Sequence, residues 1–277
     1  MRWARKTDCG AVGGADETNL DNAARTVSAR ERAIADLLVH RGTAHMHERA
    51  ALFPFTGIHR ADVLLNDLEQ TPHAFVTACV MDRQIRAELS WQIPLKLQER
   101  LGTFRFAALA ALSYDDVMKA FAKPSPLHRF TKTMARCFFE AIRHIGDEYG
   151  GDASKMWKGK PSSALVVYRF LKLRGVGPKI ATMAVNILAR NFKIRFADYY
   201  SVDISADAQV RRVFERLGLT TKGATEQELI YKARALNPEF PGLLDWPTWD
   251  IGRKWCRPRR PQCESCYMQS ICPWPNS

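Results

Sequence analysis

Four cysteines near the C-terminus, Cys256, Cys263, Cys266 and Cys272, constrain this chain more than any other feature. They follow a C-x6-C-x2-C-x5-C spacing within 17 residues, and Pro273 comes directly after the last. Packing alone does not ask for cysteine at four fixed positions, and disulfide pairs at this density belong to small secreted domains. Structural zinc sites usually offer two short C-x2-C-like knuckles. Here a single short pair is flanked by long arms, a wide asymmetric loop ending in Cys-Pro. That pattern favours a [4Fe-4S] cluster over zinc. Cys9, Cys79 and Cys137 are isolated, and the last two sit in apolar helical stretches where a thiol acts as a small hydrophobe.

The charge balance gives the chain a direction. With 41 Lys+Arg against 29 Asp+Glu, the formal net charge is +12, which suits a polyanionic partner. No apolar run is long enough to span a membrane, and the N-terminus lacks the apolar core of a signal peptide. The expectation is a cytoplasmic monomer, nucleoid-associated in a bacterium or archaeon. At 277 residues the chain can hold one large or two modest domains.

Capping residues and apolar periodicity then place the elements. Residues 1–27 lack periodicity and read as a loose tail. Ser28 with Glu31 is a capping box that opens a helix running to Gly42. Thr71-Pro72 opens an apolar helix to Met81, and a second is expected from Gln84 to Trp91. Pro94 ends or kinks it before a short helix to Leu101, stopped by Gly102. Further helices start at Ser113, Phe130 and Ser162. The helix Lys179–Ala189 is apolar on nearly every side and reads as buried all round. Asp207 caps the helix Ala208–Leu217, Thr225 and Glu228 cap another, and Trp246-Pro247 opens the last, which delivers Cys256. Strand alternation is almost absent, and Ile194–Val202 is the only ambiguous piece. The fold class is all-α.

Between two of these helices lies Leu173-Arg174-Gly175-Val176-Gly177-Pro178-Lys179-Ile180-Ala181. The two glycines permit backbone angles that side chains would block and let a phosphate approach the main chain. The free N–H groups at the start of the following helix form an anion site. A tight helical hairpin without any ligand is the plainer alternative.

Joined to the cysteine loop, this segment resembles the endonuclease III branch of the helix-hairpin-helix DNA glycosylases. The family hairpin reads L-P-G-V-G-x-K-T-A, and its cluster loop has the same cysteine spacing. Its acidic motif, V-D-T-H-V-x-R-V, is matched in place by Ala206-Asp207-Ala208-Gln209-Val210-Arg211-Arg212-Val213. The resemblance runs from about residue 70 to the C-terminus. It implies a two-domain fold with an iron–sulfur loop: a six-helix domain over 68–195, and a discontinuous cluster domain from 28–67 plus 196–277.

By the same resemblance Lys179 is the catalytic amine and Asp207 the catalytic carboxylate. The chemistry makes sense of both, because a glycosidic C1′ becomes electrophilic as its base leaves. An amine must attack it and a carboxylate must steady the developing positive charge. The implied activity is a base excision repair glycosylase with an abasic-site β-lyase step, acting on double-stranded DNA with damaged bases or abasic sites. Lys179 and Asp207 lie 28 residues apart, longer than the usual family spacing, so 191–204 holds an insertion and Asp203 competes for the acid role. The family's Thr-His after the acid is Ala208-Gln209 here, which puts the substrate in question. Gln84 matches a glutamine that enters the gap left by an extruded base. Leu127 and His128 fall where the family has an intercalating loop. The hairpin residues Gly175, Val176 and Gly177, and the loop arginines Arg257, Arg259 and Arg260, are the expected phosphate contacts. Three alternatives stay open: an adenine-mismatch glycosylase, a monofunctional glycosylase for alkylated or bulky bases, and a catalytically silent binder of distorted DNA.

Overall fold

The computed structural model describes residues 27–48 and 51–274. The expected tail over 1–27 falls almost wholly outside the described residues, as does Cys9. Thirteen α-helices and several single 3-10 turns make up the regular structure, with no strand among the described residues. The all-α reading holds.

The described residues open with α1 (Ala29–His47), fixed at its start by the capping box: Glu31 N–H donates to Ser28 Oγ and Ser28 N–H to the Glu31 carboxylate. The helix does not stop at Gly42. That glycine lies buried inside α1, and a Cβ there would collide with the carbonyl of Leu243. Its role is close packing, which overrides the tendency of glycine to end a helix. Next come α2 (His59–Asn66), which sequence periodicity did not announce, and α3 (Pro72–Met81). Every residue of α3 is buried. Thr71 stands at its N-cap position but does not cap with its side chain. Its hydroxyl instead donates back to the carbonyls of Leu64 and Asp67, at 3.0 and 3.2 Å.

The helix expected over Gln84–Trp91 shrinks to one turn, α4 (Ala87–Ser90), because Gln84 adopts a left-handed backbone with φ 55°. Pro94 neither ends nor kinks a helix. It occupies the first turn of α5 (Ile93–Leu101), where its missing N–H costs nothing. A short α6 (Phe106–Ala110), too brief for a periodic signal, precedes α7 (Tyr114–Ala122), which Ser113 and Asp116 cap reciprocally. Then follow α8 (Thr131–Tyr149), α9 (Ser163–Leu171), α10 (Pro178–Arg190), α11 (Ala208–Arg216), α12 (Glu226–Leu236) and α13 (Asp245–Lys254).

Two apolar cores result. The larger draws on α3, α5, α7, α8, α9 and α10, including Phe75, Phe121, Phe138, Trp157, Phe170 and Leu188. The smaller joins Ile34 and Leu38 of α1 to Val210, Val213, Phe214, Leu229, Ile251 and Met268. Each fully buried side chain of this size stabilises by about 1.5–3 kcal/mol. The 191–204 segment is irregular and runs between the two cores. Lys193 holds the carbonyls of Met46 and Arg190, at the ends of α1 and α10. Asp198 and Ser201 both bond the hydroxyl of Ser163 at the start of α9. The insertion is thus tied down along its length.

Candidate active site and cysteine cavity

The hairpin is positioned by its apolar residues. Leu173 and Val176 are buried in the larger core, so Val176 can offer a ligand only its backbone. Gly175 has φ 84°, and a Cβ there would come within 2.8 Å of the Cys137 sulfur. Glycine is required at that position. Gly177 differs from expectation: φ −102° and ψ −179° are extended values open to any residue. What Gly177 contributes is space, since nothing lies within 4 Å of where its Cβ would be. Pro178 follows at the first position of α10, and Lys179 comes next, exposed beside the helix N-terminus.

Asp207 caps α11, its Oδ1 accepting from the N–H groups of Gln209 at 2.8 Å and Val210 at 2.9 Å. Its other oxygen accepts no hydrogen bond among the described residues. Asp203 is placed differently. Its two oxygens receive the Arg234 guanidinium, each at 2.7 Å, and its carbonyl accepts from Asn186. That carboxylate is occupied by α12, and the residue's carbonyl ties it to α10. Of the two candidate acids, Asp207 is the one with a free oxygen.

A further carboxyl feels the charge of both members of the sequence-expected pair. Asp82 closes α3, and its Oδ1 accepts from the Ser90 hydroxyl at 3.2 Å. Burial pushes its carboxyl above the ordinary range; the Lys179 ammonium and the Ser90 hydrogen bond oppose this, while the Asp207 and Glu88 charges reinforce it. Lys179 and Asp207, distant in sequence, therefore act on one group. Sequence reasoning passed over Asp82, although a signal was present. An acid at a helix C-terminus faces the negative end of the dipole and so asks for a reason.

Gln84, exposed and held in a left-handed conformation rare for a non-glycine residue, sits on the turn just after Asp82. The guanidinium of Arg129 reaches its carbonyl at 3.5 Å. Leu127 and His128 do not project as a wedge. Leu127 is 9% exposed and His128 3% exposed, with His128 Nδ1 accepting from the Phe130 N–H. The apolar environment that Leu127 needs draws both side chains inward and leaves Lys123–Pro126 as the exposed part of this loop.

The four C-terminal cysteines ring a single cavity of about 410 Å³, together with Arg216, Trp255, Met268 and Trp274 among others. Among the described residues no three His, Cys, Asp or Glu side chains gather closely enough to hold one ion. An N–H donor points at the sulfurs: Arg216 Nη1 lies 3.4 Å from Cys256 Sγ. Arg216 further bonds the carbonyls of Arg257 and Pro258, and Arg212 those of Cys256 and Gly252. The helix that begins at Asp207 is thereby stitched to the cysteine loop. Arg257, Arg259 and Arg260 stand exposed on the first arm of that loop.

Comparison with known proteins bears on the fold that carries these residues. No family model matches the chain. Endonuclease III of Thermotoga maritima is 25% identical over 208 residues, which are 75% of this chain and 85% of that protein. Endonuclease III-like protein 1 of Gallus gallus is 29% identical over 131 residues, but the match spans only 40% of its length. The structure of a trapped endonuclease III–DNA covalent intermediate superposes with a TM-score of 0.58 at 18% identity, over 87% of this chain and 95% of the other. At that identity the superposition establishes the fold.

Proposed function

The chain belongs to the endonuclease III/helix-hairpin-helix glycosylase family, and on that premise we propose that it is a base excision repair DNA glycosylase whose Lys179 also gives it abasic-site lyase activity. One observation carries the reading. The exposed amine of Lys179 and the half-free carboxylate of Asp207 come from different helices, and the charges of both act on the same half-buried carboxyl, Asp82.

In this reading damaged double-stranded DNA lies along the groove between the helical unit 68–195 and the unit formed by 28–67 with 196–277. The backbone of Gly175–Gly177 and the exposed Arg257, Arg259 and Arg260 take phosphates. Gln84 fills the gap left when the damaged nucleotide turns out of the stack. The neutral Lys179 amine attacks C1′ as the base leaves, and Asp207 offsets the positive charge that develops on the sugar. Loss of the sugar ring oxygen bond gives a Schiff base on Lys179, and removal of a C2′ proton then breaks the 3′ phosphate bond. Cys256, Cys263, Cys266 and Cys272 would hold a [4Fe-4S] cluster. With all its corners taken by thiolates, that cluster would supply structure, not hydrolysis. The role left to this chain's residues there is to keep the arginine loop in shape.

Borohydride reduction on a duplex containing an abasic site tests the proposal. Wild-type protein should yield a covalent protein–DNA adduct. Lys179→Gln should bind the same DNA without forming the adduct or nicking the strand. An adduct that persists in Lys179→Gln overturns the role given to this lysine. Base release without nicking or adduct would place the protein among monofunctional glycosylases.

A further inference from the structure

Two ion pairs among the described residues tie α13 to the 68–195 unit. Arg190 and Asp245 form the first, 3.8 Å apart, with side chains only 14% and 12% exposed. Arg253 of α13 and Glu88 of α4 form the second, at 3.2 Å, with side chains 47% and 46% exposed. A pair so exposed adds little to stability, because water screens it and two long side chains must be ordered to make it. Arg253 is nevertheless held from two directions, since its guanidinium also lies 4.7 Å from the centre of the Trp249 ring. The Glu88 carboxyl is kept below its ordinary range, first by its own backbone N–H and then, against the opposing effect of burial, by Arg253 and Arg86. The pair adjoins the candidate site at both ends. Two residues beyond Glu88, the Ser90 hydroxyl donates to Asp82. Just before Arg253, Gly252 lies so close to Gln209 that a Cβ would come within 2.8 Å of it, and the Gln209 N–H donates to Asp207. Glu88 and Arg253 therefore bridge from the turn that carries Asp82 and Gln84 to the segment that seats Asp207.

We propose that Arg253 is a further DNA-binding residue, stored on Glu88 in the free protein and passed to a phosphate of the duplex when DNA arrives. This rests on the glycosylase reading above. A carboxylate and a phosphodiester offer the same kind of paired anionic oxygens to the planar fork of a guanidinium, so Glu88 occupies Arg253 as a phosphate would. The Trp249 ring can keep the guanidinium in place while its anionic partner changes. The exchange trades one ion pair for another and moves no proton. Arg190–Asp245, largely buried, is the fixed tie between α13 and the 68–195 unit, and Glu88–Arg253 is the one that opens. Glu88 is thus a latch: it holds Arg253 ready and must release it before the duplex can seat.

The test is equilibrium binding to a duplex carrying a stable abasic-site analogue, measured over a range of salt for the wild type, Glu88→Gln, Arg253→Gln and the double variant. Glu88→Gln should bind about 3-fold more tightly or better at low salt, since Arg253 no longer has a pair to leave. Arg253→Gln should bind more weakly and flatten the dependence of log affinity on log salt by about 1. Arg253→Lys should restore that slope with only part of the affinity. In the double variant the gain from Glu88→Gln should vanish, because the latch has lost its other half. The same gain in both backgrounds overturns the proposal, since Glu88 would then merely repel the duplex. A slope unchanged in Arg253→Gln also overturns it. Should Arg253→Gln fail to fold, Glu88→Gln decides alone, and an affinity no higher than the wild type's overturns the latch. Wild-type protein that binds no duplex at any salt defeats the DNA reading itself, and is recognised without any variant.

Discussion

The two helices that present the candidate site are held in different proportions by burial and by hydrogen bonds to a loop. Lys179 stands at the head of α10, whose residues from Ile180 to Ala189 are almost all buried in the larger core. Asp207 heads α11, which buries only Val210, Val213 and Phe214 in the smaller core and is also tied by Arg212 and Arg216 to carbonyls of Gly252, Cys256, Arg257 and Pro258. Burial is non-directional and survives small shifts of its surroundings. Hydrogen bonds to a loop exist only while the loop keeps its shape. The amine side of the site should therefore be the more robust, and the carboxylate side the more sensitive to the state of the cysteine loop.

The strongest way to break that comparison is to unmake the loop. Cys263→Ser should lower stability by about 5 kcal/mol or more, since metal-centre binding energy is folding energy for the segment it organises. The visible absorbance of the freshly purified protein should fall with it. Hydrogen exchange should rise across α11 and remain slow across α10. Equal loosening of both helices would erase the distinction.

A second effect lies between the cores. Arg234→Ala leaves the Asp203 carboxylate, only 11% exposed, without its partner, and should cost about 3 kcal/mol in a denaturant titration. Base release per folded molecule should be unchanged, because both oxygens of the Asp203 carboxylate are taken up by Arg234. A specific loss of base release with stability intact would instead return Asp203 to the acid role.

Acidity sharpens the comparison further. Asp245 accepts from the Ser205 N–H just ahead of Asp207, and its carboxyl is raised by burial from 3.8 to about 6 despite Arg190 nearby. A carboxyl raised on folding holds its proton more tightly in the native state. Its contribution is fully present below the unfolded value and is lost as pH climbs from about 4 through 6. Subtracting the Asp245→Asn stability profile from the wild-type profile should reveal a decline of about 2 kcal/mol over that interval. Carboxylates whose values are lowered, such as Glu31 and Glu228, slope the other way and cancel in the subtraction.

The smallest expected effect is on affinity alone. Neutralising Arg259 and Arg260 together should flatten the dependence of log affinity on log salt by about 2, leaving lesion preference and stability as they were. An unchanged slope would mean that these arginines face solvent when DNA is bound.

Most of the helix starts were legible because local chemistry sets them. Ser28, Ser113, Thr225 and Asp207 cap through side chains that reach only a few residues ahead. The fold class, the hairpin and the cysteine loop were legible for the same reason. What escaped depends on distant neighbours. Gly42 reads as a stop until the Leu243 carbonyl is seen against it. Gln84–Trp91 carries good helix formers, yet the turn at Gln84 confines the helix to four residues. Leu127 and His128 matched a wedge by position, but burial turned them inward. Asp82 gains its meaning from Lys179 and Asp207, which no local pattern connects to it.

The location of α1 has a consequence for how the protein is made. Glu31 pairs with Lys232, 201 residues later, Arg41 lies over the ring of Tyr267, and Gly42 packs on Leu243. During synthesis α1 leaves the ribosome well before any of these partners exists. The larger core, drawn almost entirely from 61–202, can assemble while translation continues, in keeping with the domain-wise order of folding on the ribosome. Through that interval the apolar face formed by Ile34 and Leu38 has no place to dock. This helix is thus translated early and housed late, and a nascent chain stalled before about residue 230 should expose it to chaperones and proteases.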